Sequence, residues 1–163
     1  VSSTRPIAIR PMTAQDVDAV SEILLGYPWT RYAMTRDRAE NVLRGGLAQN
    51  ASLLVALADG IVAGFVWFIP RGAFHHSCYI RLIGVAESAK GLGAGKALLQ
   101  AAEQACAATS KDMFLLVSDF NTPAQAFYQR MGYAQVGGIP DYVQPGITEL
   151  IMRKKLEESL AKA

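Results

Sequence analysis

Apolar and polar positions follow two periods along this chain, and the changes of period mark its elements. Residues 7–10 form a short apolar run. Thr13-Ala-Gln-Asp16 then offers a capping box ahead of Val17, Val20, Ile23 and Leu24 at helical spacing, which predicts a strand followed by a helix. An aromatic loop at 27–32 ends that helix. Thr35 can cap a second helix, expected to fray at Gly45-Gly46 because glycine is a poor helix former. Residues 52–58 and 61–69 are rich in β-formers and joined by Asp59-Gly60, a strong hairpin signal, so they should pair antiparallel.

Beyond a loop at 71–76, residues 79–85 read as a strand. A glycine-rich turn follows, then a helix with Leu98, Ala101, Ala105 and Ala108 on one stripe. Residues 113–117 are a further strand. Thr122-Pro123 places a capping hydroxyl before a proline at the first helical position, and Gly132 supplies the stop. Residues 133–136 and 147–153 are two last strands around a Gly-Pro-rich loop, and 156–163 is a short helical tail. No repeat, linker or low-complexity tract interrupts this, so a single domain is expected over 1–163.

Composition narrows the function classes. With 163 residues, 51% hydrophobic and only 18% charged, the chain can bury a core and is unlike a disordered or coiled-coil sequence. Its longest apolar stretch, 61–70, falls well short of the roughly 18 residues that span a bilayer, and the first residues lack a signal-peptide core, so no membrane partner is expected. A net charge of +2 gives no footprint for nucleic acid. Cys78 and Cys106 match neither CxxC nor zinc spacing and read as two reduced thiols of a cytoplasmic protein. His75-His76 with Cys78 are adjacent donors without a distant fourth, which favours an exposed turn over a metal site; no metal is expected.

The candidate chemistry begins at Lys90-Gly-Leu-Gly-Ala-Gly-Lys96, between a strand and a helix. Glycines let the backbone approach a ligand, and the first helical N–H groups are free to bind an anion. A P-loop needs glycine where Lys90 stands and a hydroxyl where Ala97 stands; a dinucleotide fingerprint needs glycine at Lys96. Both fail. An ordinary strand-to-helix connection, with glycines for packing, is the plain alternative.

Lys90-x-x-Gly93-x-Gly95 after Leu82-Ile-Gly-Val85 resembles the coenzyme A loop of the GNAT superfamily of N-acetyltransferases, Arg/Gln-x-x-Gly-x-Gly/Ala. Lys90 departs from Arg or Gln, keeping a charge but losing the planar fork. Asn121-x-x-Ala124-x-x-Phe127-Tyr128-x-x-x-Gly132-Tyr133 is similar to the second characteristic segment of that superfamily, residue for residue. The likeness is specific over 83–133 and covers the element pattern of about residues 5–155.

The resemblance implies an α/β (α+β) fold of acyl-CoA N-acyltransferase type: a mixed, mostly antiparallel twisted sheet of six to seven strands flanked by helices. It implies acetyl-CoA as acyl donor, another acyl-CoA being left open, and no metal. In this reading the backbone of Ile83, Gly84 and Val85 pairs with the pantetheine arm while their side chains pack the core. A backbone N–H there is the natural oxyanion donor. Lys90, Gly91, Leu92, Gly93, Ala94, Gly95 and Lys96 cradle the pyrophosphate. Asn121 and Phe127 belong to the cofactor side, although Asn121 could equally be a local cap.

Tyr128 would be the general acid toward the leaving thiolate; the alternative is a core tyrosine on the stripe Ala124, Phe127, Tyr128 and Met131. The base is open between Glu87, Asp119 and a water chain. The expected reaction is direct acetyl transfer in a ternary complex to a primary amine. A small-molecule acceptor is favoured because the aromatic loop at 27–32 and the segment 139–143 could narrow an acceptor groove. The alternatives are acetylation of protein N termini or lysines, and a non-catalytic acyl-CoA sensor. The apolar strand near 147–152 and the tail suggest a homodimer.

Overall fold

The computed structural model describes residues 6–156. Seven strands and four helices alternate as the periods predict: β1 (Ile7–Pro11), α1 (Val17–Leu24), α2 (Arg36–Ala48), β2 (Ser52–Ala58), β3 (Ile61–Ala73), β4 (Ser77–Val85), α3 (Ala94–Ala107), β5 (Asp112–Ser118), α4 (Thr122–Arg130), β6 (Ala134–Pro140) and β7 (Thr148–Lys155). The strands form one sheet in the order β1-β2-β3-β4-β5-β7-β6. β4 and β5 run parallel through Cys78↔Met113 to Ile80↔Leu115, whereas β1–β2, β2–β3, β5–β7 and β6–β7 are antiparallel. This is the mixed sheet that the resemblance implies. No helix among the described residues is long and apolar enough to cross a membrane.

The chain divides into two compact units, the first running through Phe68 and including Leu82–Ala102, the second holding Ile69–Arg81 and the chain from Glu103 onward. In the first, Val17, Val20, Leu24, Leu43, Val55, Phe65, Leu98 and Leu99 are fully buried. Asp16 starts α1: its carboxylate accepts from the Thr13 N–H at 2.8 Å and from both Arg10 guanidinium nitrogens at 2.7 and 2.8 Å. The Arg10 hydrogen bonds, chiefly, hold the Asp16 carboxyl below its ordinary range. The β2–β3 hairpin turns at Asp59 and Gly60, with φ of 53° and 76°, the doubly left-handed turn that Asp-Gly favours.

Several elements differ from expectation. α2 does not fray at Gly45-Gly46 but continues to Ala48, and a Cβ on Gly46 would lie 2.5 Å from the Trp67 ring, so that glycine serves helix-to-sheet contact. β3 continues through Pro70 to Ala73, reducing the expected loop to a tight turn in which Phe74 and His75 have φ of 57° and 56°. The buried stripe of α3 is Ala94, Leu98, Leu99, Ala102 and Cys106, whereas Ala105 is exposed and Ala108 lies past the helix. Alanines fit either face, so their spacing could not orient that helix. α4 is capped by Asn121, not Thr122: the Asn121 side chain accepts from the Ala124 N–H at 3.4 Å. The helical tail expected at 156–163 lies outside the described residues except for Leu156, which is buried and donates its N–H to the Lys111 carbonyl at 2.7 Å.

In the second unit Met113, Leu115 and Met152 fill the core. Cys78 on β4 and Cys106 on α3 are also buried there. Their Cα atoms are 6.1 Å apart and the sulfurs are joined as a disulfide, which corrects the expectation of two separate thiols. Their sequence spacing carried no sign of this, because a strand and the following helix bring them together only after packing.

Candidate active site

The glycine loop lies in the first unit. A short 3-10 turn, Glu87–Ala89, leads from β4 to Lys90, and Gly91 and Gly93 take φ of +80° and +86°. This is the left-handed region, where any other residue is strained, and an added Cβ at either position would meet no atom within 4 Å. Their need for glycine is therefore backbone conformation with open space above it. The first return bond of α3 runs from the Ala97 N–H to the Gly93 carbonyl at 3.0 Å, so the Ala94, Gly95 and Lys96 amides precede the helical ladder. Gly91, Gly93, Lys90 and Lys96 are exposed, Leu92 and Gly95 half-buried, and Ala94 is buried as the helix anchor. Such an arrangement of amides, helix dipole and lysines suits a polyanion.

Upstream, Ile83 and Val85 are half-buried while Gly84 is buried. A Cβ on Gly84 would stand 2.6 Å from the Trp29 ring, 2.9 Å from Ile23 and 3.1 Å from Phe65. Trp29, from the aromatic loop, thus packs directly on β4 at the proposed pantetheine strand, and its ring centroid is 6.4 Å from that of Phe65. The Ala86 N–H continues this edge by donating to the Ala63 carbonyl at 2.8 Å.

The second characteristic segment lies in the other unit. Gln125 donates to the Ser118 and Asp119 carbonyls at 3.0 Å each, tying the start of α4 to the end of β5. α4 carries Phe127 and Tyr128, with ring centroids 5.4 Å apart, and Tyr128 meets Tyr133 edge-on at 5.9 Å. The two tyrosines of the motif then diverge. Tyr133 donates its hydroxyl to Glu103 at 3.0 Å, Lys154 donates to the other Glu103 oxygen at 2.9 Å, and the Lys154 ammonium lies 5.8 Å from the Tyr133 ring. Burial and then the Glu103 charge push the Tyr133 hydroxyl far up. Tyr128 is also buried, with 8% of its surface left, yet its hydroxyl has no hydrogen-bonding partner among the described residues. Burial alone raises its pKa, so it stays a neutral phenol across the physiological range.

Other candidates have more ordinary surroundings. Lys90 pairs with Glu87 at 2.6 Å on an exposed surface, and Asp119 accepts from the Thr148 N–H at 3.1 Å, tying the end of β5 to the start of β7. Asn121 caps its helix as described. Among the described residues no group of three His, Cys, Asp or Glu side chains comes together, and Cys78 is committed to Cys106 rather than to His75 or His76. One acidic side chain escaped sequence reasoning: Glu149 on β7 is only 5% exposed and accepts from the Ser118 hydroxyl at 3.4 Å. Its signal was a lone carboxylate inside the apolar run Ile147-Thr-Glu-Leu-Ile-Met152.

Comparison with known proteins points one way. The model of the acetyltransferase (GNAT) family matches residues 15–133. An uncharacterized N-acetyltransferase of Methanocaldococcus jannaschii is 30% identical over 150 residues, covering 90% of each chain. A blasticidin-S acetyltransferase of Streptomyces morookaense is 32% identical over 100 residues, or 61% of this chain and 67% of that protein. The solved structure of yncA from Salmonella typhimurium with its cofactor acetyl-CoA superposes with a TM-score of 0.72 at 17% identity, covering 93% of this chain and 95% of that one.

Proposed function

The chain belongs to the GNAT family and is an acetyl-CoA-dependent N-acetyltransferase; from that premise we propose that it transfers acetyl directly to a primary amine of a small molecule in a ternary complex. The observation that carries the catalytic assignment is the contrast between the Tyr133 hydroxyl, engaged by Glu103, and the Tyr128 hydroxyl, which makes no hydrogen bond to another described residue. A phenol hydroxyl that no neighbouring side chain engages can donate to a ligand.

Acetyl-CoA supplies an activated thioester when bound. The Gly91–Lys96 amides and the Lys90 and Lys96 charges would hold its pyrophosphate, and the backbone of Ile83, Gly84 and Val85 would run beside the extended arm and offer an N–H to the developing oxyanion. Phe127 would contribute apolar surface and Asn121 the turn that sets α4. Tyr128 would donate to sulfur as the carbon–sulfur bond breaks. Because its pKa lies above that of a thiol, roughly 8.5, its main contribution is a hydrogen bond to developing charge. The acceptor ammonium would lose its proton to Glu87, to Asp119 or through a water chain; Glu87 lies beside Lys90 and Asp119 accepts from the Thr148 N–H.

The likeness to a blasticidin-S acetyltransferase supports a small acceptor. We treat 1–163 as one acetyltransferase domain, able to pair as a homodimer, and place it in the cytoplasm. The test is thiol release from acetyl-CoA across amino acids, polyamines, arylalkylamines, aminoglycosides and peptides, with calorimetry of acetyl-CoA. Turnover with a small amine is expected. Binding without thiol release under any acceptor would make the protein a sensor, and preference for peptides would overturn the acceptor class.

A further inference from the structure

Glu103 on α3, Tyr133 just past the end of α4 and Lys154 on β7 meet inside the second unit. Glu103 is buried, and both its oxygens are engaged, one by the Tyr133 hydroxyl and the other by the Lys154 ammonium. The Lys154 stem lies along Gly132, where a Cβ would stand 3.5 Å from Cε and 3.7 Å from Cδ. Withdrawing two opposite charges from water is costly, and apolar side chains of similar size often stabilise such a position at least as well. Cohesion alone therefore gives no reason for an ion pair here. What hydrogen-bonded charges add is one defined geometry for the group they hold.

That group is Tyr133, and it is joined to Tyr128 twice. Its N–H donates to the Tyr128 carbonyl at 3.0 Å, closing the end of α4, and its ring meets the Tyr128 ring edge-on. The Tyr128 hydroxyl bonds to no other described residue, so no polar contact of its own sets the angle of that ring. Its aromatic neighbours do, Phe127 on the same helix and Tyr133 beyond it. A continuous series of contacts thus runs from Lys154 through Glu103 and Tyr133 to Tyr128, all of it within one unit.

We propose that Glu103, held by Lys154, is a positioning residue for acetyl transfer: through Tyr133 it fixes the Tyr128 ring, and so the place from which the Tyr128 hydroxyl donates to the leaving sulfur. Glu103 acts only through Tyr133 and moves no proton in this scheme. The inference rests on the assignment of Tyr128 as that donor and deepens it.

The experiment uses the full chain, acetyl-CoA, and the fastest acceptor among amino acids, polyamines, arylalkylamines, aminoglycosides and peptides. Glu103→Leu, Lys154→Met and Tyr133→Phe made together replace every member of the polar group, so the fold should persist with Tm within about 5 °C of wild type. The kcat should nevertheless fall about 10-fold, a part of the loss that Tyr128→Phe itself causes, with acetyl-CoA affinity by calorimetry unchanged. Glu103→Gln keeps a hydrogen-bonding group opposite the Tyr133 hydroxyl and should hold kcat within about threefold of wild type. In a Tyr128→Phe background the triple replacement should change kcat by less than about twofold, because the place of a donor matters only while the donor is there. Without any cofactor, the NMR signals of the Tyr128 ring in tyrosine-labelled protein should broaden or double in the triple variant and stay single in Glu103→Gln. If the triple variant does not fold, Tyr133→Phe, which removes one oxygen, carries the same measurements. Wild-type kcat in the folded variant, an equal loss in the Tyr128→Phe background, a Glu103→Gln loss as large as the triple one, or an unchanged Tyr128 ring would overturn the inference while leaving Tyr128 as donor. Wild-type kcat in Tyr128→Phe, or no turnover of any of these amines, would overturn the underlying reading and the inference with it.

Discussion

Replacing Tyr128 and Tyr133 in turn by Phe separates catalytic from structural tyrosine within one motif. Each variant loses a single hydroxyl and keeps its ring. Tyr133→Phe removes a 3.0 Å bond to a buried carboxylate, leaving Glu103 with Lys154 alone. A hydrogen bond to a charged group contributes about 1.5–3 kcal/mol, so a central cost near 2 kcal/mol is expected. At about 2–4 °C per kcal/mol for a domain of this size, Tm should fall by about 4–8 °C. Tyr128→Phe removes no hydrogen bond to another described residue and leaves ring contacts with Phe127 and Tyr133 in place, so its stability cost should stay below about 1 kcal/mol. Its kcat, however, should drop about 10²- to 10⁴-fold, toward the lower end because thiolates leave fairly well unaided. Acetyl-CoA affinity should change little, since the contact strengthens chiefly in the transition state. The assay pairs thiol-release kcat with a melting curve and calorimetry for each variant. A Tyr128→Phe enzyme with near wild-type kcat, or one that melts as early as Tyr133→Phe, would refute the reasoning and return Tyr128 to the core.

Three further outcomes follow from the same geometry. Gly93→Asp should abolish measurable acetyl-CoA binding by calorimetry while the fold persists, because it forces a left-handed aspartate and adds negative charge at the anion cradle; unchanged affinity would remove the loop from the cofactor site. Gly84→Ala should cost about 1–3 kcal/mol in denaturant unfolding, since its methyl must displace the Trp29 ring from 2.6 Å, and should weaken acetyl-CoA as β4 shifts. Asp16 has a folded-state pKa below its unfolded value of roughly 3.9, so its contribution is present above about pH 4 and lost as pH falls through the depressed value. Asp16→Asn should therefore cost about 1 kcal/mol at neutral pH, allowing for solvent screening of the Arg10 pair, and flatten the acid limb of a stability-versus-pH curve.

Local chemistry determined much of this protein before any packing. Asp59-Gly60 specified a hairpin because both turn residues need positive φ, and Thr13 to Asp16 began a helix because a carboxylate three residues on satisfies a free N–H. Gly91, Gly93 and Gly132 were legible because a left-handed backbone conformation restricts those positions. What the sequence left undetermined depended on partners distant in the chain. Gly46 reads as a helix breaker until the Trp67 ring fills the space beside it. Cys78 and Cys106 read as separate thiols until β4 and α3 pack. Tyr128 and Tyr133 look alike in the motif, and only tertiary structure engages one with Glu103, across 30 residues, while the other bonds to no other described residue. Glu149 drew no notice in the sequence because alternation says which residues share a face, while burial of that face depends on β5, β6 and β7 pairing around it. Propensity and turn chemistry act over a few residues, whereas burial and side-chain pairing arise only once distant strands and helices share one sheet.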